Sequence, residues 1–248
     1  MENPELAALF RLFESLPQQG PGSDACTLEA LARLPALPER PRVVDMGCGA
    51  GRQTLALAAA LHCPILAIDV HQPFLDRLRA EAGRRGLAEL IETRCADMAD
   101  PGLPAGSVDL LWSEGAVYNL GFARGLALWR PLMAPGGLLA ATECSWLADD
   151  RPPEAAAFWA RDYPAMAGIA ANRAAAEAAG YTVLDTFSLP PSAWWEGFYT
   201  PLARRIAELR PTADAAMRAV LAANEAEIDL YRRHSAAYGY VFYLMQSL

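Results

Sequence analysis

Lysine is absent from the chain: all 21 basic residues are arginine. A phosphate-binding P-loop needs a lysine on the phosphates, and pyridoxal enzymes and Schiff-base aldolases need a lysine amine as nucleophile. The chain by itself performs none of those chemistries. Histidine is nearly as scarce, with His62, His71 and His234 only. The five cysteines, Cys26, Cys48, Cys63, Cys95 and Cys144, stand far apart with no C-x-x-C among them. No zinc spacing can be assembled from this set, and no metal is expected. An odd number of thiols, behind a Met-Glu-Asn-Pro start without a basic-then-apolar leader, leads to the expectation of a reduced, cytoplasmic protein. Long apolar runs are missing too. The longest uncharged stretch, Gln53 to Ile68, is broken by His62 and Pro64, and falls short of the ~20 residues of a membrane helix.

Positive charge is the minority sign, 21 basic against 29 acidic residues, for a net charge of -8. That sign repels phosphate backbones, so neither nucleic acid nor a membrane is an expected partner. Apolar residues are plentiful: 53% of 248 residues are hydrophobic and 20% charged. That is too apolar for disorder and long enough to bury a core without disulfides or metals. No internal repeat or low-complexity linker interrupts it.

Helical spacing of Leu6, Leu9, Phe10, Phe13 and Leu16 predicts an amphipathic helix over Pro4 to Leu16. The breaker-rich Pro17 to Ser23 loop follows, then a helix over Asp24 to Leu34 with Asp24 as its N-cap. From Arg42 onward, short apolar runs at Val43-Val44, Ile65 to Ile68, Leu90 to Arg94, Val108 to Trp112 and Leu138 to Ala141 read as strands of a parallel sheet. Helical patterns lie between them at Arg52 to Leu61, Pro73 to Arg85 and Phe122 to Met133. The alternation implies an α/β fold with helices on both faces. Further on, helices are predicted over Pro153 to Ala160 and Ala165 to Ala179, the latter closed by Gly180. A strand over Tyr181 to Leu189 and a last strand over Tyr240 to Met245 flank an insertion with two helical patterns. We expect a single domain over 1–248: an N-terminal helical lid (1–41), a core (42–146) and a helical cap (190–237).

The segment Val43-Val-Asp-Met-Gly-Cys-Gly-Ala-Gly51 follows a strand and opens a helix. Glycines there let a backbone approach a ligand, and the helix start presents unpaired N–H groups. A dinucleotide fingerprint would need Gly or Ala where Arg52 stands; Gly47, Gly49 and Gly51 have a G-x-G-x-G spacing instead, with Asp45 two residues ahead. In this the chain resembles the class I S-adenosylmethionine-dependent methyltransferases. The resemblance runs on through Ile65 to Asp69, Cys95-Ala-Asp97-Met98, Val108 to Trp112 and Leu132-Met-Ala-Pro-Gly-Gly137, covering about Arg42 to Glu143. More loosely, Gln18 to Ser23, Trp112 to Asn119 and Gly239 to Tyr243 resemble a bacterial branch that acts on small molecules.

The resemblance implies a Rossmann-like, mostly parallel seven-stranded sheet with an antiparallel last strand, and S-adenosyl-L-methionine as cofactor. It lays Gly47, Cys48, Gly49 and Gly51 against the methionine end of that cofactor, with Asp45 accepting from its ammonium. Asp69, eighteen residues beyond Gly51, can accept both ribose hydroxyls, with Val70 beside it; a helix N-cap is its other use. Asp97 and Met98 fall where the family binds the adenine. Ser113, Glu114 and Gly115 follow the fourth strand and face the transferring methyl group, with Glu114 as base or ammonium contact and Tyr118 next along. Glu143 and Trp146 are expected beyond the fifth strand, in the same crevice. Either glutamate has a surface salt bridge as its plain alternative. Trp194, Trp195, Phe198 and Tyr199 read as a lid over the substrate or as cap core, and exposed aromatics there would allow a homodimer. Methyl transfer to a small molecule is the expected function. The alternatives are a cofactor-binding protein without transferase activity and an NAD(P)-dependent oxidoreductase.

Overall fold

The computed structural model describes residues 4–248. Its strands are β1 (Val43–Met46), β2 (Ile65–Asp69), β3 (Ile91–Cys95), β4 (Val108–Ser113), β5 (Met133–Trp146), β6 (Tyr181–Ser188) and β7 (Tyr238–Ser247). They form one seven-stranded sheet in the order β3-β2-β1-β4-β5-β7-β6. β1 pairs in parallel with β2 and β4, β2 with β3, and β4 with β5. β7 runs antiparallel between β5 and β6. The inner strands are apolar on both faces because helices cover both: every residue of β1 is buried. The strand order reverses between β1 and β4. Loops leaving the two strands diverge there and open a crevice at the carboxyl ends.

The helices are α1 (Pro4–Phe13), α2 (Asp24–Arg33), α3 (Arg52–Leu61), α4 (Gln72–Arg84), α5 (Phe122–Trp129), α6 (Pro153–Asp162), α7 (Ile169–Ala178), α8 (Pro191–Trp194), α9 (Thr200–Leu209) and α10 (Ala215–His234). Cys26 and Ala30 of α2, Leu55 and Leu57 of α3, and Leu75 and Leu78 of α4 pack on one face of the sheet. Phe122, Leu126 and Trp129 of α5, with Ala176 of α7, pack on the other. A third apolar body joins Leu12 of α1, Leu202 of α9 and Leu221 of α10 to Cys144 and Trp146, over the carboxyl end of β5. Among the described residues no helix is long and apolar enough to cross a membrane.

Several boundaries differ from the sequence reading. Ser23, not Asp24, caps α2, its hydroxyl accepting from the Cys26 N–H at 3.2 Å. α7 starts at Ile169 because the chain before it is extended, Trp146 N–H pairing with Ala167 O at 3.0 Å. Pro131 ends the α5 pattern in a short turn, and β5 then spans Met133 to Trp146, its register against β4 shifting between Met133 and Leu138. Glu143 and Trp146 are therefore inside the fifth strand, not beyond it. The cap insertion holds α9 and α10, as its two patterns suggest, preceded by α8 and a single π turn. Trp194, Phe198 and Tyr199 are 1%, 6% and 0% exposed and Trp195 is half-buried against them, so these aromatics form the core of the cap. Residues 1–3 of the expected lid lie outside the described residues.

Gly51 shows how tightly the core loop is set. It has φ +80°, and a Cβ there would sit 2.2 Å from the Leu78 side chain of α4. Both the backbone region and the space demand glycine. Gly51→Ala should cost at least ~2 kcal/mol of stability, read from urea unfolding of the two proteins. An unchanged midpoint would mean that α4 does not pack against the loop.

Candidate functional site

A cavity of about 490 Å³ opens at the carboxyl ends of β1, β2 and β4. Its floor is Gly47, Cys48 and Gly49, and its walls include Asp69 with Val70, and Asp97 with Met98. Its roof is Leu6, Leu9, Phe10 and Phe13 of α1, and the Gln18 to Pro21 loop closes one side. α1 is held there by contacts with α4: Phe10 stacks on His71 with centroids 3.9 Å apart, and His71 Nε2 meets Glu14 Oε1 at 2.8 Å. The Arg77 guanidinium donates to the Glu14 carbonyl.

The glycine floor is fixed by backbone and carboxylate contacts. Gly47 and Cys48 N–H both donate to Ile68 O, at 2.8 and 3.0 Å. A Cβ at Gly47 would meet Ala116 Cβ at 2.4 Å, so no larger residue lets these two loops approach. Asp69 links the loops after β1 and β2: Oδ2 accepts from Gly49 N–H at 2.8 Å and Oδ1 from His71 N–H at 2.9 Å. Burial pushes its carboxyl up, and those two N–H groups act against that push. The helix-cap alternative for Asp69 does not match, since His71 occupies the position before α4. Asp97 turns its chain by accepting from Ala99 N–H at 2.8 Å, and Met98 O accepts from Trp129 Nε1 at 2.9 Å. Burial raises the Cys48 thiol well above its usual range, so it is no nucleophile at neutral pH.

Four expected site residues do not line this cavity, and neither does Trp146. Asp45 is fully buried behind the loop, accepting from Thr54 Oγ1 at 2.6 Å and Gln53 Nε2 at 3.4 Å. Burial lifts it to about 7, against the hydrogen bond from Thr54. It reaches the cavity only through Gln53, which lines it. Gly51 faces α4, as above. Ser113 stitches β4 to β1, its hydroxyl donating to Met46 O at 2.9 Å. Glu143 is 1% exposed and stands outside the walls.

The two glutamates contrast. Glu114 lines the cavity, yet its carboxylate is fully engaged: Oε1 accepts from Thr27 Oγ1 at 2.6 Å and Trp112 Nε1 at 2.8 Å, and Oε2 meets Arg52 Nη2 at 2.5 Å. Arg52 and Thr27 are the partners that sequence reasoning missed; the arginine was noticed only as a departure from the dinucleotide pattern. Glu143 has no such partners. Its Oε2 and the hydroxyl of the adjacent Tyr163 make no hydrogen bond of good geometry. Burial pushes Glu143 up to about 8, while the neighbouring Tyr163 favours its charged form. Gln18, Gln19 and the α1 side chains also escaped the sequence reading as site residues. Gln19 Oε1 accepts from Ala50 N–H at 2.8 Å, and its only signal was the loose resemblance of the Gln18 to Ser23 loop. Among the described residues no group of three or more His, Cys, Asp or Glu side chains is placed to ligate a metal.

Residues 44–141 match the methyltransferase domain family. Over 119 residues the chain is 33% identical to dimethylglycine N-methyltransferase of Parasynechococcus marenigrum, covering 47% of this chain and 42% of that protein. It is 32% identical over 149 residues to nocamycin O-methyltransferase of Saccharothrix syringae, covering 58% and 50%. The chain thus spans about half the length of the curated relatives it matches. Of solved structures, an S-adenosylmethionine-dependent methyltransferase from Geobacter sulfurreducens, in complex with S-adenosyl-L-homocysteine, superposes with TM-score 0.81. Its identity is 17%, over 100% of this chain and 99% of that one. The cyclase SpnF superposes with TM-score 0.76 and 21% identity, over 98% and 94%. At these identities the likeness is one of fold.

Asp45 and Glu143 hold protons in the folded chain that they release on unfolding. Their native values, about 7 and about 8, lie above the ordinary 3.8 and 4.5. The associated stability is whole below those ordinary values and is lost as pH rises through the native ones. The unfolding midpoint should therefore fall by several degrees between about pH 4 and about pH 8. Glu143→Gln, with no proton to lose, should flatten that fall. Identical slopes in variant and parent would show that Glu143 ionises without cost.

Proposed function

We propose that the chain is a class I S-adenosylmethionine-dependent methyltransferase and that it transfers a methyl group to a small-molecule acceptor by in-line displacement. The observation that carries this is the acidic pair Asp69 and Asp97 flanking a glycine floor in one roofed cavity. The residues fit the donor chemically: carboxylates for ribose hydroxyls and an adenine amino group, bare backbone for the methionine end, and apolar Val70 and Leu9 for the purine faces. Bound there, S-adenosylmethionine would supply an electrophilic methyl group on a cationic sulfur.

The chain's own residues do the rest. Asp69 holds the Gly49 N–H while facing the cavity, so the ribose contact and the glycine floor are set by one side chain. Asp45 and Gln53 support the floor from behind, with Cys48 and Met98 as packing and Gly51 and Ser113 as framework. Glu114 anchors the N-terminal lid, and Tyr118 and Glu143 belong to the acceptor end. Residues 1–41 act as lid, 42–146 as cofactor core and 190–237 as cap within one domain. Closing α1 over the cavity excludes water and orders the reactants, and such positioning can supply ~7–11 kcal/mol of a bimolecular barrier.

The cyclase SpnF shares this fold, and cofactor binding without methyl transfer stands as the second reading. Calorimetric titration with S-adenosylhomocysteine tests the first half of the proposal. Micromolar binding is expected, with none for NADH or NADPH, and Asp69→Ala should weaken it by ~10-fold or more, a loss of about 1.4 kcal/mol. Binding that ignores the substitution, or a preference for a nicotinamide, would overturn the site. Formation of S-adenosylhomocysteine with an acceptor separates transfer from mere binding.

A further inference from the structure

Every charge in the cavity wall is already spent. Among the lining residues the charged side chains are Arg52, Asp69, Asp97 and Glu114. Under the methyltransferase reading Asp69 and Asp97 take the ribose and the adenine, and each also accepts from backbone N–H groups. Glu114 and Arg52 neutralise each other at 2.5 Å. Asp24 Oδ1 and Thr27 Oγ1 meet the same guanidinium, each at 3.1 Å. The glutamine amides are committed as well. Gln18 Nε2 donates to Gly20 O at 2.8 Å and Gly22 O at 3.0 Å. Gln19 Oε1 accepts from Ala50 N–H at 2.8 Å, and Gln53 Nε2 donates to Cys48 O at 3.1 Å. Glu143 lies outside the walls, and burial pushes its carboxyl up to about 8, so it adds no charge at neutral pH. What the wall still offers a second ligand is neutral: the Tyr118 hydroxyl and the Asn119 amide, whose Nδ2 donates to Ala116 O at 3.0 Å.

Apolar side chains share the cavity with those two groups. Ala116, Tyr118 and Leu120 line it from the turn after β4, and Leu6 and Phe13 line it from α1. Phe13 is backed by Phe198 of the cap, their rings stacked with centroids 6.0 Å apart. Leu6, Val70 and Tyr118 are 49%, 58% and 41% exposed, and all three line this one cavity. Exposed apolar surface gathered at one opening marks a mouth that binds apolar matter. Charge then narrows the ligand further. An ammonium or a carboxylate entering here would give up its water and find no opposite charge free to replace it. An uncharged molecule gives up little and gains apolar contact.

We propose that the methyl acceptor is an uncharged, largely apolar molecule, seated between Leu6 and Phe13 of α1 and Tyr118 and Leu120 of the turn after β4. Its polar group lies towards the Tyr118 hydroxyl and the Asn119 amide. This deepens the methyltransferase reading and rests on it. Selection against charged molecules comes from the Glu114–Arg52 pair, which leaves neither sign a partner.

Calorimetry on the full chain saturated with S-adenosylhomocysteine tests this with probes matched in all but one group. One set is phenethyl alcohol, phenethylamine and phenylpropanoate; the other is hexanol, hexylamine and hexanoate. At neutral pH the alcohol of a set should bind at least ~10-fold tighter than its amine or its carboxylate. Tyr118→Ala should weaken the alcohol ~10-fold with S-adenosylhomocysteine affinity unchanged. Tyr118→Glu, which adds an unspent carboxylate to an exposed part of the wall, should turn the preference towards the amine. Equal or tighter binding of a charged member to the parent chain would overturn the inference. So would an unaltered preference in Tyr118→Glu, or failure of every alcohol while S-adenosylhomocysteine binds. Failure of S-adenosylhomocysteine itself would overturn the cofactor reading and carry the acceptor proposal down with it.

Discussion

The Glu114–Arg52 ion pair organises the mouth of the site. With side-chain exposures of 3% and 15%, both charges are largely out of water, and removing one partner of such a pair costs ~3–5 kcal/mol. The remaining lone pairs and protons must therefore be met, and they are met from three directions. Trp112 donates from β4, Thr27 from α2, and Arg52 reaches from the start of α3 to Asp24 as well. The N-terminal segment is consequently pinned to the sheet beside the glycine loop. That pinning lets α1 lie across the cavity as a roof, where Phe10 and His71 complete its attachment to α4.

The same residue type meets the opposite fate one strand away. Glu114 is compensated and serves as framework. Glu143, on β5, is buried and among the described residues has no ion pair, so burial pushes its carboxyl up to about 8. Position relative to Arg52 decides which carboxyl is paired, because among the described residues Arg52 is the basic side chain that reaches Glu114 and none is paired with Glu143. Asp45 and Asp69 show a milder form of this contrast. Asp45 spends its oxygens on Thr54 and Gln53 behind the loop, whereas Asp69 spends one on each of two loops and still lines the cavity.

Fold alone does not fix the reaction. A cyclase and a methyltransferase both superpose on nearly the whole chain, so the chemistry must be argued from the side chains of the site and its surroundings. The cap's aromatics pack as a core around the polar groups, making a low-dielectric surrounding in which a carboxyl and a phenol act more strongly on each other than they would in water.

The alternation of short apolar runs and helical patterns determined the α/β class, because strands covered on both faces are built mostly from apolar residues. The G-x-G-x-G spacing after β1 determined the floor of the site, because Gly47 and Gly51 stand where a Cβ would strike Ala116 and Leu78. Asp69, Asp97 and Tyr118 were legible for a related reason: they follow strands, and the carboxyl ends of parallel strands gather at one edge. The roles of Glu114 and Glu143 were not legible. Both read as acids near the ends of strands, and only the tertiary structure brought Arg52 and Thr27, 62 and 87 residues away in sequence, onto the first and left the second alone. The cap aromatics stayed open between lid and core for the same reason. Local sequence sets backbone conformation and apolar periodicity, but the partner of a buried charge is chosen by long-range packing, and that partner decides what the charge can do.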